Sequence, residues 1–248
     1  MPIDYLRRIS GHERTPEANR DLGMTLAFVA GAANAGGFLA VGKYTSHMTG
    51  MVSSTADHLA LGETDLALGG VLSVLGFLAG AMVSALLINW ARDQHLRSQY
   101  ALPLLLEALL LMVFGALGPA LWQHPQAWIS LTVLLLCFMM GLQNAIITKI
   151  SRAEIRTTHV TGLVTDIGIA LGRLLYWRGH PAPDEAGHQT RRRLALHSTL
   201  LGMFFVGGIA GALGFKHVGY QTVLPLALLL LALSLVPVLD DLRHFRRS

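Results

Sequence analysis

The chain has a single cysteine, Cys137, and little charge: 14% of its 248 residues are Asp, Glu, Lys or Arg, where a soluble domain carries about a quarter. One cysteine excludes an internal disulfide and a cysteine metal cluster, and its place inside an apolar run leaves the redox compartment unread. Serine and cysteine nucleophile motifs are missing, as is His-Glu-x-x-His spacing, so the reading is of a protein that is not an enzyme and needs no cofactor or metal. Residues Met1 to Asp21 have no apolar run ahead of the first hydrophobic segment. They are expected to form a cytoplasmic tail rather than a cleavable signal peptide.

What the chain does have is hydrophobic length. Runs without internal charge extend over Leu22 to Gly42, Leu66 to Asn89, Ala127 to Ile147, Leu194 to Phe215 and Thr222 to Leu239. A sixth, Ala101 to Leu121, holds one acid, Glu107. Each approaches the ~20 residues that cross a hydrocarbon core. Backbone donors in lipid must be paired within their own segment, and a barrel would show alternation, so the runs are helices. The expected class is an all-α polytopic membrane protein of six transmembrane helices, with the lipid bilayer as its partner.

The basic residues set the orientation. With the N-terminus inside, six crossings place all 19 Lys and Arg in the cytoplasm except Lys43 and Lys216, as the positive-inside rule demands. Both termini are then cytoplasmic, and the excess of positive charge needs no nucleic-acid partner. Two shorter stretches, His47 to Gly62 and His159 to Gly172, would make eight crossings but split the charges far less cleanly. Their length fits re-entrant or interfacial helices instead.

The two stretches belong to a duplication. Gly31-Ala-Ala-Asn34-Ala35 leads to His47-Met-Thr49-Gly50, and Gly141-Leu-Gln143-Asn144-Ala145 leads to His159-Val-Thr161-Gly162. Further on, Leu59-Ala-Leu-Gly62 matches Ile169-Ala-Leu-Gly172, Gly76/Gly80 matches Gly207/Gly211, and Leu102-Pro103-Leu104 matches Leu224-Pro225-Leu226. The domain reading is a cytoplasmic tail 1–21, a membrane domain 22–239 and a second tail 240–248. The membrane domain divides into repeat 1 (22–121) and repeat 2 (127–239), the latter interrupted by an exposed cytoplasmic loop, 178–193. Three crossings per half are odd, so the halves enter the membrane from opposite sides as inverted repeats, an arrangement typical of secondary transporters. It would place Lys43 to Gly50 at the outer face and Lys149 to Gly162 at the inner face, with His47 and His159 held apart.

On these paired Gly-x-x-Asn-Ala and His-x-Thr-Gly motifs, from about Leu22 to Leu239, the chain resembles the YoaK-like family of bacterial integral membrane proteins. The resemblance implies a multi-pass protein of the bacterial inner membrane and supplies no substrate or activity. Met51 stands where the resemblance leads one to expect Asn after Gly50, which removes an amide from the first half-site.

The candidate chemistry follows from residue type. Asn34 and Asn144, with Gln143 beside the second, offer uncharged donors and acceptors that can hold a solute in a low-dielectric site, or join helices. Thr49-Gly50 and Thr161-Gly162 look like helix entrances, Thr capping and Gly admitting a close approach. Their amides and positive helix ends suit an anion, or the carboxylate of a zwitterion. Asp57, Asp166 and Glu107 are the acids at membrane depth that could carry coupling protons. Gly76, Gly80, Gly207 and Gly211 fit close helix packing. The leading function is a secondary transporter of a small solute, proton-coupled through one of these acids. A passive channel and a membrane-embedded enzyme acting on a lipid through His47 or His159 are the alternatives. Six helices are few for a complete transporter, which favours a homodimer.

Overall fold

The helix starts and stops are written locally. In the computed structural model, which describes residues 15–123, 125–151, 155, 157–178 and 184–245, Thr15 accepts a hydrogen bond from Ala18 N at 3.2 Å and Pro16 follows at the first helical position. Both features favour a helix start, the first by satisfying an orphan donor and the second because proline has no donor to satisfy. Helix α1 (Pro16–Val41) ends at Gly42, whose φ of 70° is open to glycine at little cost. After it come α2 (Met48–Ala60), α3 (Thr64–Asp93), α4 (Ala101–Gln123), α5 (Pro125–Ile150), α6 (Val160–Tyr176) and α7 (Asp184–His217). A short 3-10 turn, Gly219–Thr222, leads into α8 (Val223–Phe245). There is no strand among the described residues.

Six of these helices, α1, α3, α4, α5, α7 and α8, are long and apolar enough to cross a membrane. They coincide with the six apolar runs. The protein is an integral membrane protein, and its surface shows it: α3 turns Leu68, Leu72, Leu75, Leu78, Met82 and Leu86 outward while burying Gly70, Ser73, Gly76, Gly80 and Ser84. Large residues outside and small ones inside is the pattern of a helix bathed in lipid, where close backbone approach rather than water exclusion drives association. Large apolar side chains fill the bundle centre, among them Leu22, Leu26, Leu104, Leu111, Phe114, Met139, Leu142 and Ile146.

Glycine contacts fix how the helices run. A Cβ on Gly31 would strike the carbonyl oxygen of Phe204, and one on Gly207 that of Phe28, so α1 and α7 touch backbone to backbone. In the same way a Cβ on Gly141 would strike Phe77 O and one on Gly80 would strike Phe138 O, joining α5 to α3. Gly76 meets Leu134 one turn before Gly80 meets Phe138, and Ala32 meets Gly211 one turn after Phe28 meets Gly207, so both pairs are parallel. The pairing α1 with α7 is thus repeated by α5 with α3. In this register Gly80, not Gly76, is the counterpart of Gly207, one turn from the match of Gly76/Gly80 with Gly207/Gly211 expected from the sequence.

Helices α4 and α8 run antiparallel. Asp241 on α8 accepts from Arg97 N at 3.1 Å and Ser98 N at 2.8 Å at the foot of α4, while Gly118 near the other end lies under the Tyr220 ring. Phe114, Phe215 and Tyr220 close that end as a three-ring cluster with centroids 5.6 to 6.1 Å apart.

Three expected boundaries move. Residues 184–193, expected within the 178–193 loop, are the first turns of α7, and residues 16–21 and 240–245, assigned to tails, continue α1 and α8. The rest of those tails, and Pro181 and Pro183, lie outside the described residues, as do Arg152 and Arg156. Helix propensity accounts for the extensions, since Asp184 to Arg193 contains only one glycine and no proline.

Candidate functional site

Each copy of the motif builds one wall of a single cavity of about 470 Å3. Its lining includes Asn34, Ser46, His47 and Thr49 from the first copy, and Asn144, Thr158, His159 and Thr161 from the second. Phe77 of α3 and Phe204 of α7 complete it, the same two residues whose carbonyls meet Gly141 and Gly31. Phe77 stands near the middle of the 30-residue α3, so the cavity lies at mid-depth along that helix.

The asparagines are held by the residue that precedes each histidine. Asn34 Oδ1 accepts from Ser46 Oγ at 2.9 Å and from Ser46 N at 3.4 Å. Asn144 Oδ1 accepts from Thr158 Oγ1 at 2.6 Å, and its Nδ2 donates to Met140 O at 2.7 Å. A hydroxyl before His47 and another before His159 is therefore part of the motif, and it tethers the chain entering each short helix to the long helix before it.

His47 and His159 stand at the N-cap positions of α2 and α6, and neither side chain makes a capping hydrogen bond. Instead each imidazole folds back over the first turn of its own helix, where a Cβ on Gly50 would strike the His47 ring and a Cβ on Gly162 the His159 ring. This is why His-x-x-Gly recurs: any side chain at the fourth position displaces the ring from the cavity wall. Thr49 and Thr161 lie two residues past the cap position, inside the helix, which corrects their expected role. The expectation that the two histidines lie apart on opposite faces is also overturned, since both line one cavity. They alone make no metal centre, and among the described residues no group of three or more His, Cys, Asp or Glu is placed to hold one.

The other candidates fall outside the cavity lining. Gln143 is fully buried beside Asn144 but on another face of α5, and neither its Oε1 nor its Nε2 has a hydrogen-bond partner among the described residues. Glu107 is likewise fully buried, and neither of its carboxyl oxygens has a hydrogen-bond partner among the described residues. It sits on α4, which packs against α5. Asp57 and Asp166 are exposed on α2 and α6, and Asp166 lies 3.8 Å from His197 of α7. Sequence reasoning missed Tyr44, Ser46, Phe77, Thr158 and Phe204. The hydroxyls before each histidine were a readable signal, whereas the phenylalanines were hidden by the one-turn misalignment of α3 with α7.

A family model described as Protein of unknown function (DUF1275) matches residues 22–236. The chain belongs to this family. It is also similar to the UPF0700 transmembrane protein YoaK of Bacillus subtilis (strain 168), with 27% identity over 158 residues, 61% of this chain and 67% of the relative. No solved structure matches. The DUF1275 match spans all six membrane helices and both copies of the motif, so the cavity lies wholly within the family region.

Proposed function

We propose that this DUF1275 protein is a secondary transporter that binds a small solute in the shared cavity, and that its halves are inverted repeats exchanging access to that cavity. The observation that carries the reading is that both copies of a motif separated by about half the chain line one cavity. Mid-membrane sites between repeats, built with interrupted helices, are the working design of such transporters.

Two further features support it. The pairing of α1 with α7 and of α5 with α3 swaps the halves onto each other, as a pseudo-twofold relation in the membrane plane requires. Helix α2 has 13 residues and returns through the turn at Gly62 along α3, with Thr55 against Gly70. At 1.5 Å per residue it spans about 20 Å, too short for a crossing of about 30 Å. Its N-terminus reaches the cavity at the level of Phe77, so α2 is a re-entrant helix, and α6 is its counterpart from the other side. Of the three acids considered for proton coupling, Glu107 is the one inside the bundle, and we assign coupling to it. The distribution of basic residues supports cytoplasmic termini, and membership of the family supports a bacterial inner membrane. A lipid-directed enzyme is disfavoured because no acidic side chain lines the cavity with the histidines among the described residues.

The test is flux. Reconstituted in liposomes, the full chain should move a small solute saturably, and Gly50→Val or Gly162→Val, which displaces one histidine, should abolish that movement. Unchanged flux in both variants would refute the assignment of the cavity.

A further inference from the structure

We infer that the cavity accepts a small organic anion, a carboxylate carried on an apolar body, an inference that rests on the transport reading for its biological use. Two helices present their N-termini to the cavity: Met48 and Thr49 of α2, and Val160 and Thr161 of α6, are all in its lining. Neither helix has an acidic residue in its first turn or a side-chain cap. Each such end carries about +0.5 elementary charge together with unpaired amide donors. Two ends facing one space reinforce each other.

A buried side chain points the same way. Asn34 is only 9% exposed. Because the backbone amide of Ser46 can only donate, the atom facing it is Oδ1, which turns Nδ2 away from Ser46. That Nδ2 has no hydrogen-bond partner among the described residues, and Asn34 lines the cavity, so a donor on a largely buried side chain is open to a ligand acceptor. An open amide donor is best matched by an anionic oxygen, since hydrogen bonds to charged groups are stronger than those between neutral groups.

The remaining wall decides what accompanies the charge. No Asp or Glu lines the cavity among the described residues, so no carboxylate there offsets an ammonium group, and a zwitterion is disfavoured. Phe77 and Phe204, with Met48 and Val160, offer an apolar surface. About 470 Å3 is ample for one small aromatic or aliphatic acid.

The probes are benzoate, benzamide and benzylammonium, nearly equal in size and different in charge. Binding is measured on the purified full chain in detergent by calorimetry. Benzoate is expected to bind at least about tenfold more tightly than either of the others, the worth of a hydrogen bond to a charged group. Acetate, lacking the apolar body, should bind more weakly than benzoate. Asn34→Asp, close in shape, should weaken benzoate at least about tenfold while the protein stays monodisperse. Equal or tighter binding of benzylammonium or benzamide, no binding of benzoate, or unweakened binding in Asn34→Asp would each overturn the inference. Saturable flux of a cation or neutral solute would leave transport standing and end the anion assignment. Benzoate binding without flux of any solute would do the reverse.

Discussion

The two half-sites share a motif and differ in what their asparagines are free to do. Asn144 is tied at both ends, its oxygen to Thr158 and its nitrogen to Met140. Among the described residues Asn34 is tied through oxygen alone, to Ser46, and it is the more deeply buried of the two. One copy therefore works chiefly as a bolt between α5 and the entry to α6. The other keeps a donor in reserve. Duplication supplies the frame twice, and local hydrogen bonding then separates the roles.

The largest effects test what the halves have in common. Gly31→Leu and Gly141→Leu each drive a side chain into a facing backbone. Each should cost about 3 kcal/mol or more, read as a collapse in the yield of monodisperse protein and in melting temperature. A collapse in only one variant would break the equivalence of the α1–α7 and α5–α3 contacts.

Glu107→Leu removes the clearest asymmetry inside the bundle, since Leu229 is its counterpart by sequence in the second repeat. Two buried carboxyl oxygens without a partner among the described residues cost more than they contribute to packing. The variant should be more stable by about 1 to 2 kcal/mol and should lose the dependence of flux on a proton gradient. Melting temperature and liposome flux report the two outcomes separately. Lower stability would reveal a partner for Glu107.

Smaller still is the contrast between the asparagines. Asn144→Ala should destabilise by about 1 kcal/mol and Asn34→Ala by somewhat less, given that such bonds average about 0.6 kcal/mol in membranes and that the bond from Ser46 N to Asn34, at 3.4 Å, is the longest of the four. Reversal of that order in thermal melts would contradict the division into bolt and donor. The smallest effects belong to the exposed acids. Asp57→Asn and Asp166→Asn should shift stability by less than about 0.5 kcal/mol and leave flux unchanged; loss of proton dependence in either would move coupling away from Glu107.

The class and the six spans were legible because hydrophobic length is a local property, read without knowing any contact. The Asn, Thr and Gly positions were legible because they recur. What the chain did not disclose was depth: from charge counting, Lys43 to Gly50 and Lys149 to Gly162 were put at opposite faces, yet His47 and His159 meet in one cavity. Charge counting assigns loops to sides of a membrane, but it cannot say how far a loop dips back between helices. Ser46 and Thr158 were legible in principle. Phe77 and Phe204 were not, because the repeated small residues on α3 and α7 can be aligned one turn apart with equal merit, and only backbone contact chooses between the registers.

The central claim is that the two copies face each other across one space, and cross-linking tests it most directly. Cys137 is the lone thiol and is buried, so a Cys137→Ser background leaves no competing site. In that background Met48→Cys and Val160→Cys put thiols on the two short helices where both residues line the cavity. Treated in native membranes with a short bis-maleimide, the doubly substituted chain should form a cross-link within one chain that neither single variant forms. Absence of that link, with both thiols shown to react singly, would contradict the shared cavity.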